Sequence, residues 1–302
     1  MSTTTRLALF AAGLAAVFGI SLGAGSLVGT VGPAAAAEEE PMPGHASPAG
    51  DEAHGGAQHD AAAPADVPKG LQTAQDGYTL ALEQPALPAG PATEVVFSVL
   101  GPDGRPLTSY RASHDEDLHL IAVRRDLTGF QHVHPELGGD GTWRTTLALT
   151  PGEWRVFADF VPAGGEGLTL GTDLSVAGSY SPEPLPAPSR TAEVDGYTVT
   201  LDGDLVAGEM SELTLRIAKD GRPVTDLQPY LAAYGHLVVL RDGDLAYLHV
   251  HPTGEPGDGR TEPGPEVRFA TTAPSPGTYR LFLDFRHGDV VRTAEFTAVA
   301  HG

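Results

Sequence analysis

The decapeptide Pro151-Gly152-Glu153-Trp154-Arg155-Val156-Phe157-Ala158-Asp159-Phe160 returns as Pro276-Gly277-Thr278-Tyr279-Arg280-Leu281-Phe282-Leu283-Asp284-Phe285. After each Pro-Gly turn comes a run of aromatic and branched residues, the composition of a strand. Working outward, Asp76-Gly77-Tyr78-Thr79 recurs as Asp195-Gly196-Tyr197-Thr198, and Asp103-Gly104-Arg105-Pro106 as Asp220-Gly221-Arg222-Pro223. His119-Leu120 recurs as His236-Leu237, and His132-Val133-His134-Pro135 as His249-Val250-His251-Pro252. The offset is constant through the middle blocks and then widens, because the second copy inserts Gly254–Gly264. The chain is one module written twice, residues 70–178 and 192–302. A Pro-rich linker, 179–191, joins the copies; it should be extended and stiff, with few contacts crossing it, so that each half folds alone.

In the first copy, short apolar runs fall at Tyr78–Leu82, Glu94–Leu100, Leu118–Arg124, Phe130–His134, Trp143–Leu149, Trp154–Val161 and Leu168–Val176. Gly, Pro and Asp clusters separate them, as at Pro102-Asp103-Gly104 and Gly138-Gly139-Asp140-Gly141. That number of strands in about a hundred residues predicts an all-β fold of two tandem Greek-key β-sandwiches, immunoglobulin-like or cupredoxin-like.

The composition excludes several chemistries. Asp and Glu number 39 against 18 Lys and Arg, a net charge of -21 that would repel a phosphate backbone. Nucleic acid is therefore not an expected partner. With no Cys there are no disulfides, thiolate nucleophiles, iron–sulfur clusters or blue-copper centres. Only Met1, Met42 and Met210 are methionine, so the thioether clusters that suit Cu(I) are missing as well.

Residues 1–37 read as an export leader: Arg6, an uncharged apolar stretch from Leu7, then Ala34–Ala37 before Glu38-Glu39-Glu40. Cleavage after Ala37 would release a secreted protein. Retention would anchor it on the outer face of the cytoplasmic membrane, touching the bilayer only through residues 7–31. Residues 38–69, rich in Ala, Pro and acid and carrying His45, His54 and His59, read as a disordered tether.

The histidines carry the chemistry. Asp242-Gly243 is a favoured two-residue hairpin turn, and with Arg241 opposite Asp244 it sets His236 opposite His249. Residues facing each other across an antiparallel pair share a face, as do residues two apart on one strand. His236, His249 and His251 should therefore converge, and by the same spacing so should His119, His132 and His134. Three imidazoles are an ordinary shell for Cu(II) or Zn(II). Asp159 and Asp284, late in each copy, would be fourth ligands or acceptors that orient a histidine. Phe130 and Tyr247 occupy equivalent positions on the histidine face and would shield it. His114, His287 and His301 have no counterpart in the other copy and read as surface residues. A structural reading stands beside the metal: His-Pro at a strand end can cap an edge through a hydrogen bond to a loop carbonyl. The spacing also leaves open whether six histidines form two sites or one shared site.

The strings Asp117–Pro135 and His236–Leu245 resemble a family of exported, heavy-metal-associated, copper-linked proteins of high-GC bacteria. These carry tandem His-x-His-Pro sandwiches similar to YtkA-like and cupredoxin-type folds. The resemblance implies a metal connection, copper first, without implying a particular activity. With no Cys in these 302 residues, a Cys relay for Cu(I) is not expected.

Taken together, an exported Cu(II)-binding protein is expected, with zinc as the alternative metal, for copper handling outside the cytoplasm. Its partners would be the ion and another exported or membrane metal-handling protein. An interaction protein of two immunoglobulin-like domains without metal is the alternative reading, and a zinc-dependent hydrolase the second. No catalytic residue is expected: Glu136 follows the first His-x-His-Pro, but Thr253 follows the second.

Overall fold

The computed structural model describes residues 67–248 and 250–302. The leader and most of the tether lie outside the described residues. Among the described residues no helix is long and apolar enough to cross a membrane.

The protein is all-β, two sandwiches in tandem. The first repeat contains β1 (Ala74–Gln75), β2 (Tyr78–Leu82), β3 (Ala86–Pro88), β4 (Gly90–Leu100) and β5 (Leu118–Arg124). It continues with β6 (Gln131–Val133), β7 (Glu136–Leu137), β8 (Thr142–Leu149), β9 (Gly152–Phe160) and β10 (Leu168–Ala177). The second contains β11 (Thr191–Val194), β12 (Tyr197–Asp202), β13 (Leu205–Val206), β14 (Met210–Lys219), β15 (Arg222–Pro223) and β16 (His236–Arg241). It ends with β17 (Tyr247–Leu248), β18 (Val250–Pro252), β19 (Glu266–Thr272), β20 (Gly277–His287) and β21 (Val290–His301). The outer sheets run β1-β2-β4-β8-β7 and β11-β12-β14-β19-β18, with β15 on β14. The inner sheets run β3-β10-β9-β5-β6 and β13-β21-β20-β16-β17.

Outer strands alternate buried and exposed residues, as along β14, because water covers one face. Their inward residues, among them Val95, Phe97 and Trp143, or Leu213, Leu215 and Phe269, close each core against the inner sheet. Inner strands read differently. All seven residues of β5 are buried: Leu118, Leu120 and Ala122 face their own core, while Ile121 and Val123 face the other repeat.

The two inner sheets thus pack on one another. Ile121, Val123, Leu127 and Phe157 of the first repeat meet Val238, Leu240, Leu245 and Phe282 of the second in one buried apolar cluster. The contact is reciprocal. Phe130 stacks on Phe282 with ring centroids 4.0 Å apart, and Tyr247, its counterpart, meets Phe157 at 5.7 Å. The contact between the repeats corrects the expectation of few contacts. The linker is docked as well: the Arg124 guanidinium lies 5.0 Å from the Tyr180 ring, and the Glu183 N–H donates to Asp126 Oδ2 at 2.9 Å. At the other end of the chain, Tyr247 N–H donates to the Lys69 carbonyl at 2.9 Å, so the end of the expected tether is part of the fold.

The hairpin register also departs from expectation. Leu240 pairs with Tyr247 and Ile121 with His132, in each repeat two residues along from the register that a two-residue turn requires. The Arg241 N–H donates to the Ala246 carbonyl at 3.0 Å, closing a four-residue loop, Asp242–Leu245. Leu245 takes φ 63° there and is fully buried between the repeats. Burying a leucine contributes about 1.5–3 kcal/mol, enough to offset roughly 1–2 kcal/mol of left-handed backbone strain. A shift of two keeps every side chain on its face, whereas a shift of one would have reversed them.

Candidate metal centre

His119 lies on β5 and His236 on β16, each on the face turned toward the other repeat. His132 lies on β6, also on that face, and His134 follows where the chain leaves β6 for β7 in the outer sheet. The four imidazoles gather between the sheets. The His119 ring centroid is 5.4 Å from His132, 5.1 Å from His134 and 5.5 Å from His236; His132 lies 4.8 Å from His236. Among the described residues two ligand sets result, each with one atom per residue within 4.8 Å of the others: His119, His132 and His134, and His132, His236 and Asp284.

Asp284 is opposite His236 across β16 and β20. Its Oδ2 accepts from His132 Nδ1 of the other repeat at 2.8 Å, and its Oδ1 accepts from the Thr293 hydroxyl at 2.6 Å. Asp159, opposite His119, instead accepts from the Thr169 hydroxyl at 2.9 Å and belongs to neither ligand set.

The described residues do not assemble the expected second triad. After Leu248 the chain leaves the inner sheet, and β18 pairs with β19 of the outer sheet. His251, opposite Ala270 there, is exposed and belongs to neither ligand set. His249 lies outside the described residues. His114, expected at the surface, comes to the cluster instead, its ring 5.7 Å from His236 and 6.1 Å from His119. It sits on a loop at φ 52°, followed by Asp115 at φ 68°. The equivalent loop of the second repeat repeats that backbone with Leu231 and Ala232. Internal repetition could not find His114, because the loop shape recurs and the side chain does not. His287, by contrast, accompanies the Tyr197 hydroxyl at 2.6 Å, and His301 is exposed.

Burial drives the His119 imidazole down to about 4, although the Ser113 carbonyl favours its charged form. His134 is lowered to about 3 by burial and then by His132 and His119. His236 is held well below the ordinary value, first by burial and then by the surrounding imidazoles. These three rings are neutral at pH 7, and each keeps a lone pair.

The tautomers follow from the partners. His119 Nε2 lies 2.9 Å from the Ser113 carbonyl, so it donates, and the lone pair is on Nδ1. His132 Nδ1 donates to Asp284, which in the neutral ring leaves the lone pair on Nε2. His119 Nδ1 and His132 Nε2 face each other at 3.2 Å. Two lone pairs at that separation require a cation, whether a shared proton or a metal ion. Two nitrogens bound to zinc at about 2.0–2.1 Å in tetrahedral geometry lie about 3.3 Å apart. His134 Nε2 and His236 Nδ1 are shut off from solvent and have no hydrogen-bond partner among the described residues. A buried polar atom without a partner costs about 1–3 kcal/mol, which a ligated ion would remove.

One family model matches the chain twice, over residues 72–178 and 192–302. The chain belongs to that family, a domain of unknown function (DUF8832). The search of curated proteins gives no match. Among solved structures, the chain is similar to the Escherichia coli adhesin FdeC at 18% identity and TM-score 0.24, over 76% of this chain and 65% of that one. It is also similar to the Yersinia pseudotuberculosis adhesin InvE at 13% identity and TM-score 0.22, over 75% and 59%. Invasin, a bacterial integrin-binding protein, follows at 16% identity and TM-score 0.20, over 73% and 39%. The chain thus spans less than two thirds of each of these.

Proposed function

We propose that this DUF8832 protein binds a divalent transition-metal ion between its repeats, Cu(II) first and Zn(II) second, through His119, His132 and His134. The facing lone pairs of His119 and His132 carry the reading. In it Asp284 is not a ligand of this ion. It fixes the His132 ring through Nδ1, as carboxylates behind ligating histidines do, and raises the donor strength of Nε2. Imidazole suits Cu(II) and Zn(II), and copper binds nitrogen more tightly at equal geometry. With the leader, the setting is outside the cytoplasm, secreted or anchored, and the role is copper handling there. The heavy-metal link implied by the sequence resemblance belongs to the same reading, as does a metal-handling protein as partner. The site binds and does not turn over.

A second reading is an interaction protein of two immunoglobulin-like domains in which the cluster only ties the repeats together. The continuous chain Ser113–His119–His132–Asp284–Thr293 favours it, since one proton between His119 and His132 completes that chain without metal.

Calorimetric titration with Cu(II) and Zn(II) separates the two. The full chain should bind, and His119→Ala, His132→Ala or His134→Ala should weaken binding at least a hundredfold while His251→Ala changes little. Binding that survives all three changes, or vanishes on removing only His45, His54 and His59, defeats the metal reading.

A further inference from the structure

We propose that the cluster holds two ions bridged by His132; this rests on the metal reading above. His132 is the one residue common to both ligand sets, and it presents a different ring nitrogen to each side: Nε2 toward His119, Nδ1 toward Asp284. One histidine of each set also carries a buried nitrogen without a partner among the described residues, His134 Nε2 in the first and His236 Nδ1 in the second. A single ion in the first set leaves the His236 nitrogen unanswered. A second ion, bound by His132 Nδ1, His236 Nδ1 and Asp284 Oδ2, answers it.

The proton balance is simple. The second ion takes the place of the Nδ1 proton of His132, which leaves to the buffer. His132 becomes an imidazolate with a lone pair for each ion. Asp284 Oδ2 gives up its hydrogen bond and turns to the metal, while the Thr293 hydroxyl continues to hold Oδ1. Ligands then come from both repeats, so the pair also fastens one sandwich to the other. The imidazolate and carboxylate contribute two negative charges toward the four positive charges of the ions, and a chain of net charge -21 favours the remainder.

The experiment uses the full chain with His45→Ala, His54→Ala and His59→Ala, so that the tether contributes nothing. It is loaded with Cu(II), dialysed, and analysed for copper per chain and for spin by electron paramagnetic resonance. Two coppers per chain with a detectable spin well below the copper content are expected, because an imidazolate couples the pair. His236→Ala and, independently, Asp284→Asn should reduce this to one copper with full spin. One copper with full spin in the parent overturns the pair and leaves the single-ion reading standing. Two coppers with full spin overturn the bridge. No copper overturns both readings.

Discussion

Nδ1 of His132, in the first repeat, donates to Oδ2 of Asp284, in the second, at 2.8 Å with the two side chains only 2% and 3% exposed. A hydrogen bond to a carboxylate in so dry a setting couples the halves more strongly than a surface contact would. Asp284→Ala leaves the imidazole N–H and the Thr293 hydroxyl without their acceptor. Metal-free protein should lose about 3 kcal/mol by urea denaturation. In a double-mutant cycle His132→Ala with Asp284→Ala should cost clearly less than the sum of the singles. Additive losses would mean that the pair does not interact in solution.

The reciprocal aromatic contact predicts how the halves behave apart. Cutting the linker exposes Ile121, Val123 and Phe157 on one sandwich and Val238, Leu240 and Phe282 on the other. Residues 67–184 and 188–302, expressed separately, should associate one-to-one when mixed, as seen by analytical ultracentrifugation. Phe130→Ala removes one of the two aromatic contacts and should weaken that association and lower intact-chain stability by about 3 kcal/mol. Halves that remain monomeric on mixing would contradict the buried cluster.

Gly70 is a test of how firmly the segment before the first repeat is seated. It has φ 72°, and a Cβ there would lie 2.6 Å from the Phe157 ring. Its carbonyl accepts from the Arg155 guanidinium at 2.7 Å, so the backbone cannot shift without breaking that bond. Gly70→Ala should cost about 1–3 kcal/mol in thermal denaturation. An unchanged Tm would place the segment off the interface.

Much of this was legible in the chain. Apolar runs and turn residues place β2, β4, β5, β8, β9 and β10 within a few residues, and the half-buried β4 and β8 also write their burial into a period of two. The contact between the sheets was not legible. Leu120–Val123 is apolar throughout, and such a run reads the same whether its second face meets its own core or a neighbour. The register erred by two because Asp242-Gly243 is a good local turn that loses to burial of Leu245, a tertiary effect with no local mark. That even shift is why His119, His132 and His134 still share a face, whereas the early crossing to the outer sheet removed His251. His236 and Asp284 were singled out for their own repeat; that they serve the other one depends on packing between repeats.

The depressed imidazoles fix the pH dependence of the metal-free protein. His119 and His134 fall from 6.5 to about 4 and about 3 on folding, and His236 moves the same way. Above 6.5 these rings are neutral in both the folded and the unfolded chain, and their contribution to stability is fully present. As pH falls below 6.5 the unfolded chain takes up protons that the folded cluster refuses, so stability drops. The drop continues until the folded rings also protonate near 4 and near 3, and these two then contribute no further loss. Urea midpoints of the metal-free chain should therefore fall steadily between about pH 6.5 and pH 4. His119→Asn should flatten part of that slope. Bound Cu(II) occupies the lone pairs that protons would take, so loaded protein should hold its midpoint to lower pH. A midpoint that is level from pH 7 to pH 4 without metal would show that the cluster is open to water and not packed between the repeats.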